Sequence, residues 1–154
     1  MAKRATSEDA ALILKLYDLR REPEMRKARN WFVSEFWPES ADDFVKVSNA
    51  FPSQENAWMR QVGSYWDMAA AFVLQGALSE ELFVQPGCSG EMFFIFAKIY
   101  PFLKEVRQKM GSPTAWSNIE AVATGSKAAR KRLDLVLANL AKRREAAGKA
   151  AKKN

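Results

Sequence analysis

The sequence predicts an all-α fold: a single-domain helical bundle of six to eight helices with a basic C-terminal helix and tail. Three observations carry this. Apolar residues recur at steps of three and four along most of the chain, which is the mark of helices with one buried face. Proline, glycine and serine stand between these stretches where helices start and stop, and no segment shows the sustained alternation or the Asn-Gly and Asp-Gly turns of a hairpin. Finally, 154 residues with 48% apolar and 27% charged content are enough for one unstapled core.

Taken in order, Thr6 or Ser7 caps a first helix running to about Arg21, with Leu12, Leu16 and Leu19 facing inward. Pro23 suits the first position of a second helix, which buries Met25, Ala28, Phe32 and Phe36 and stops at Pro38. Ser40 caps a short third helix with Phe44, Val47 and Phe51 inside. A long fourth helix spans about Gln54 to Gln75, with Trp58, Val62, Tyr65, Ala69 and Phe72 as its stripe and Gly76 as its stop. Ser79 caps a short turn through Phe83, and "VQPGCSG" reads as a loop. The next stripe is Met92, Phe96, Ile99, Leu103, Val106 and Met110, with a kink at Pro101, where a backbone donor is lost. Ser112 and Pro113 open a short helix with Trp116, Ile119 and Ala123 inward. After Gly125-Ser126, Leu133, Val136, Leu137 and Leu140 give the last helix one inner face. The apolar spacing then ends. The expected division is a helical domain over residues 1–141, with a basic helix end and flexible tail over 142–154.

The two most apolar blocks, around Tyr65–Leu78 and Met92–Leu103, do not read as membrane spans. A span needs about 20 apolar residues. Asp67 and Gln75 interrupt the first block, and Lys98 and Pro101 the second. The N-terminal stretch carries Asp9, Lys15 and Asp18 and does not read as a signal peptide. One cysteine precludes an intramolecular disulfide framework. These features fit a cytoplasmic protein.

Three segments, "LKLYDLRREPEMRKARNWF", "YWDMAAAFVLQGALSEELF" and "IYPFLKEVRQKMGS", resemble in that order a family of small helical bacterial proteins catalogued only as a domain of unknown function. The resemblance covers roughly residues 12–123. It implies an all-helical fold and a turn at Gly76 followed by a short acidic segment. It implies no activity and transfers no functional residue, and the basic region after Lys127 lies outside it.

Several chemistries are disfavoured by composition. There is no histidine, so Ser-His-Asp and Cys-His arrangements and the commonest metal ligand are absent. No phosphate-loop signature occurs, and Gly87 and Gly90 follow no strand. The sequence therefore gives no catalytic residue, no metal site and no cofactor. Cys88 reads as a partly buried loop cysteine rather than an activated nucleophile, because no base or second thiol accompanies it. Asp67 reads as lying on the polar face of its helix or as paired with a base from the first two helices. Glu80-Glu81 and Asp42-Asp43 read as first-turn charges favoured by the helix dipole.

Charge carries the functional expectation. From Lys127 onward there are ten Lys or Arg and two acids, a net of +8, so the preceding residues carry −2 of the chain's total of +6. The candidate binding residues are Arg26, Lys27 and Arg29 beside Trp31 on the second helix, and Lys127, Arg130, Lys131, Arg132, Lys142, Arg143 and Arg144 on the last. The reading is a non-enzymatic cytoplasmic interaction or adaptor protein that engages an acidic protein surface. The alternative is a nucleic-acid-associated protein that binds phosphate backbone through the same basic helix.

Overall fold

The computed structural model describes residues 4–152. Among them there is no strand, and eight helices are longer than a single turn. The first four elements are α1 (Ser7–Leu19), α2 (Pro23–Asn30), α3 (Ala41–Asn49) and α4 (Gln54–Leu74). They are followed by the one-turn α5 (Glu80–Phe83), then α6 (Pro86–Ile99), α7 (Leu103–Met110), α8 (Ser117–Gly125) and α9 (Lys127–Ala151). A π-helical turn, Trp31–Glu35, extends α2, and a 3-10 turn, Tyr100–Phe102, separates α6 from α7. Among the described residues no helix is long and apolar enough to cross a membrane.

The caps fall where short polar side chains offer an acceptor to the first turn. Thr6 and Asp9 form a reciprocal capping box on α1, and Ser40 and Asp43 form another on α3. Ser53, Ser79 and Ser126 cap α4, α5 and α9. Asp9 also accepts from the Ser79 backbone N–H at 2.7 Å, tying the start of α1 to the start of α5. The acid pairs Asp42-Asp43 and Glu80-Glu81 do lie in first turns. Gly76 has φ +72°. Ala77 donates to the Phe72 carbonyl and Gly76 to that of Val73, so the end of α4 is a Schellman motif that depends on the left-handed glycine.

Helix α6 lies at the centre. Met92, Phe93, Ile95, Phe96, Ala97 and Ile99 are all buried, so it is covered on every side, as an interior helix is. It packs on α9 and α8, while α4 packs on α2, α3 and α8. The remaining corner is held by α3 against α7, with Lys109 bridging to Asp42 at 2.8 Å. An aromatic cluster fills the middle. Trp116 meets Phe32, Phe44 and Phe96 with ring centroids 5.9, 6.0 and 6.5 Å away.

Several local expectations are corrected. In α4 the buried residues are Asn56, Met59, Val62, Gly63, Trp66, Ala69, Ala70 and Val73. The predicted Trp58, Tyr65 and Phe72 are half-buried at its border, because neighbours on several sides widen the buried face. Leu19 is exposed, since α1 rests on the body through Leu16 and Arg20. Phe51 is 73% exposed and lies beyond the end of α3. "VQPGCSG" is not a loop. Pro86 starts α6, and the irregularity is confined to Ser89 (φ −130°), whose hydroxyl donates to the Phe83 carbonyl.

The helix expected at Pro113 begins instead at Ser117, after Trp116 in a left-handed conformation (φ 61°). A non-glycine residue there carries strain. It lets the indole turn into the core against Gly63, where an added Cβ would stand 3.4 Å from the ring. Among the described residues Asp67 is paired with no base. It accepts from the Asn118 side chain at 2.8 Å and from the Ile119 backbone N–H at 3.4 Å. A carboxylate from α4 thus supplies the N-terminal acceptor that Trp116 lacks.

Gly76→Val places a β-branched residue at positive φ and should destabilise the fold by about 1–3 kcal/mol. Urea unfolding measures it; an unchanged midpoint would mean that the turn re-forms without a left-handed residue.

Candidate functional site

Helix α9 is built from strong helix formers, mainly Ala, Leu, Lys and Arg, behind the Ser126 cap. Its first half belongs to the body. Ala129, Leu133 and Leu140 are buried, with Val136 and Leu137 packed against the core. Beyond Leu140 every described residue is exposed, yet the chain stays helical through Ala151. Lys153 and Asn154, at the end of the expected tail, lie outside the described residues.

The candidate cations divide by what they touch. Arg132 is structural: its guanidinium lies 4.8 Å over the Phe93 ring and donates to the Val84 carbonyl, and burial lowers its pKa. Gly90 makes room for it, because a Cβ there would stand 3.3 Å from the guanidinium. Arg144 donates to the Pro38 carbonyl at 3.1 Å and moors the projecting half of α9. Arg130 donates to the Tyr100 hydroxyl at 3.1 Å from an exposed position. Lys127, Lys131, Lys142 and Arg143 are exposed. At about 100° per residue, Lys127, Lys131, Lys142 and Lys149 share the outer face of α9. Glu145, on the same face, pairs with Lys149 at 2.7 Å.

The α2 group is only partly a surface. Arg26 is exposed, and Lys27 is exposed but bonded to Glu24 at 2.7 Å. Arg29 is bound by Glu91 of α6, with contacts of 2.7–3.0 Å, and this bond raises its pKa. Trp31 is buried, which overturns its expected role as an exposed contact beside Arg29. The cause is the π turn. Phe36 N–H bonds to the Trp31 carbonyl, five residues back, and the wider turn brings Phe36 under Trp31, with rings stacked at 4.8 Å. The two basic groups are held by different parts of the bundle, α2 on α4 and α9 on α6 and α8.

The exposed aromatic beside the α9 cations is Trp37, for which the sequence indicated no separate role. It is 37% exposed and donates from its indole to the Ser34 carbonyl at 3.0 Å. It faces the projecting half of α9 across an open groove of about 750 Å³. Glu39, Arg143, Arg144, Ala147, Gly148 and Ala151 complete the lining. Its position just before Pro38, beyond the helical register, was the available signal.

Beneath Trp37 lies Lys98, which has no exposed surface. Its Nζ donates to the carbonyls of Phe32, Val33 and Phe36 at 2.7, 2.9 and 2.9 Å and stands 3.8 Å from the Trp37 ring centroid. Burial, with a smaller contribution from the nearby Arg144, lowers its pKa from 10.5 to about 7. No group of three or more His, Cys, Asp or Glu side chains able to hold a metal occurs among the described residues.

The family model described as a domain of unknown function (DUF4760) matches residues 5–126, most of the chain, and ends just before α9 begins. Comparison with curated proteins and with solved structures gives no match.

A lysine that binds its proton less tightly when folded than when unfolded gives stability that rises with pH between the two pKa values. Lys98 should therefore contribute a rise in unfolding free energy from about pH 7 toward 10.5 and no change below pH 7. Urea unfolding of the wild type and Lys98→Met across pH 6–10 tests this, with the gap between them expected to widen as pH rises. A constant gap would show that Lys98 titrates normally.

Proposed function

The chain belongs to the DUF4760 family, and we propose that it is a non-enzymatic cytoplasmic interaction protein that docks an acidic, partly apolar protein segment on the projecting half of α9. The observation that carries this reading is the eleven-residue helical extension from Ala141 to Ala151, with no core beneath it. Its outer face presents Lys142 and Lys149, and its underside presents small residues to the groove beside Trp37. An exposed tryptophan next to cations is a favoured anchor for protein contacts.

The mixed character of the groove favours a peptide over phosphate backbone. Glu39 lines it, and Ala147, Gly148 and Ala151 offer apolar contact that a phosphate chain would not use. Nucleic-acid binding remains the competing outcome, because the region from Lys127 onward carries +8.

Deletion of residues 142–154 removes six basic residues and one acid and lowers the net charge from +6 to +1. It breaks the Arg144–Pro38 hydrogen bond but no buried apolar contact. The truncated chain should therefore lose only about 1 kcal/mol of stability. Fluorescence anisotropy with a labelled Glu/Leu amphipathic peptide and with a 20-base-pair duplex separates the two readings. The peptide should bind the full chain, and both truncation and Lys142→Glu/Arg143→Glu should weaken that binding at least tenfold. Tighter binding of the duplex, with a steep salt dependence that truncation flattens, would establish the nucleic-acid reading instead. Unfolding on truncation would place residues 142–154 in the body.

A further inference from the structure

On the α1 side of the molecule, away from the Trp37 groove, Arg20 closes the C-terminal end of α1 and is only 8% exposed. Its backbone is fixed: its N–H donates to the Leu16 carbonyl, and its own carbonyl accepts from Arg29. Its guanidinium lies over two rings, 5.1 Å from the Tyr17 centroid and 5.2 Å from that of Trp66. Rings offset part of a buried cation's charge, but they leave the in-plane N–H donors unused. Among the described residues no carboxylate, carbonyl or hydroxyl accepts from this guanidinium. Other arginines in the same molecule are handled differently: Arg29 has Glu91, Arg107 has Glu120, and Arg132 and Arg144 have carbonyls.

Arg20 lines a partly enclosed cavity of about 250 Å³ between α1, α4 and the start of α6. The walls are mostly apolar, formed by Leu14, Leu16 and Tyr17 of α1 and by Trp66 of α4, with Cys88 on the α6 side. The neighbouring polar groups are already committed. The Tyr65 hydroxyl donates to the Leu16 carbonyl, and burial pushes its pKa up to about 12, so it remains neutral. Trp66 donates from its indole to Glu91, whose charge is matched by Arg29. The cavity is therefore an apolar slot whose one uncommitted charged group, among the described residues that line it, is a guanidinium.

We propose that this cavity is a binding site for a small carboxylate with an apolar body, whose carboxylate pairs with Arg20 while its single ring or short chain packs between Tyr17, Leu14 and Trp66. A guanidinium matches a carboxylate through two parallel hydrogen bonds. The volume equals that of about eight water molecules, which fits one ring or about six carbons. A nucleotide exceeds this space, and its phosphates carry more negative charge than one guanidinium balances beside Glu91. The site is independent of the α9 surface, so either assignment can fail without the other.

Calorimetric and thermal-shift titrations of the full chain with sodium benzoate test the proposal, with sodium chloride at matched ionic strength and benzyl alcohol as controls. Benzoate should bind saturably in the millimolar range or tighter and raise the melting temperature, while benzyl alcohol should not. Arg20→Gln should weaken benzoate at least tenfold. Because Arg20 is buried, Leu14→Glu serves as the second variant: Leu14 is 68% exposed at the rim, so the fold should be retained while a carboxylate is repelled. Absence of benzoate binding in the millimolar range overturns the site. Equal binding of benzyl alcohol, or benzoate binding that survives both substitutions, overturns the role assigned to Arg20.

Discussion

Three carbonyl oxygens and one ammonium group decide how this bundle closes. The π turn after α2 leaves the carbonyls of Phe32, Val33 and Phe36 without helical partners in a region sealed from water, where an unmet acceptor costs about 1–3 kcal/mol. Pro38 has no N–H to offer. Lys98 reaches across from the central helix α6 and meets all three with its three donors. A carboxylate there would repel the carbonyls, and an apolar side chain would leave them orphaned. The same contact fixes the height of α6 relative to α2, seats Trp37 over the ammonium, and leaves the Pro38 carbonyl for Arg144 of α9. Three elements far apart in sequence thus converge on one buried amine.

A second feature runs through the molecule: polar groups on one helix complete the ends of another. Asp67 on α4 serves the start of α8, Asp9 on α1 serves Ser79 before α5, and Arg132 on α9 serves the Val84 carbonyl at the end of α5. These bonds let short helices such as α5 and α8 hold a defined direction, which their own turns alone would not fix. They also explain why part of the apparent surface charge is unavailable for binding. Arg29, Arg132 and Arg144 are committed to the fold, while Lys127, Lys131 and Lys142 on the outer face of α9 are exposed.

The fold class was legible because helical periodicity and caps are local. The Thr6, Ser40 and Ser79 caps, the Pro23 start and the Gly76 stop all follow from neighbouring residues, and all stand where the pattern places them. What was not legible depends on distant partners. Lys98 reads as a break in an apolar run, because its acceptors lie more than sixty residues away. Trp31 is buried and Trp37 exposed because one wide turn shifts the register, which a 3.6-residue pattern does not capture. Asp67 reads as a polar-face residue because its role is to cap a helix about fifty residues later. For the candidate site, the basic residues of α9 could be named from sequence, but which of them are free required the packing. Arg20 gave no signal, because an arginine within "DLRREPE" reads as a solvated helix end.

Lys98 is held in place by the carbonyls of the π turn, and these in turn depend on it. Equilibrium urea unfolding of Lys98→Met at pH 6, where the side chain is an ammonium with three donors, tests that mutual dependence most directly. Methionine fills much of the same volume but donates to none of the three carbonyls. The account predicts a loss of about 3 kcal/mol or more, the cost of leaving buried acceptors unmet. A variant as stable as the wild type, or more stable, would contradict it and show that the π turn satisfies its carbonyls without the lysine.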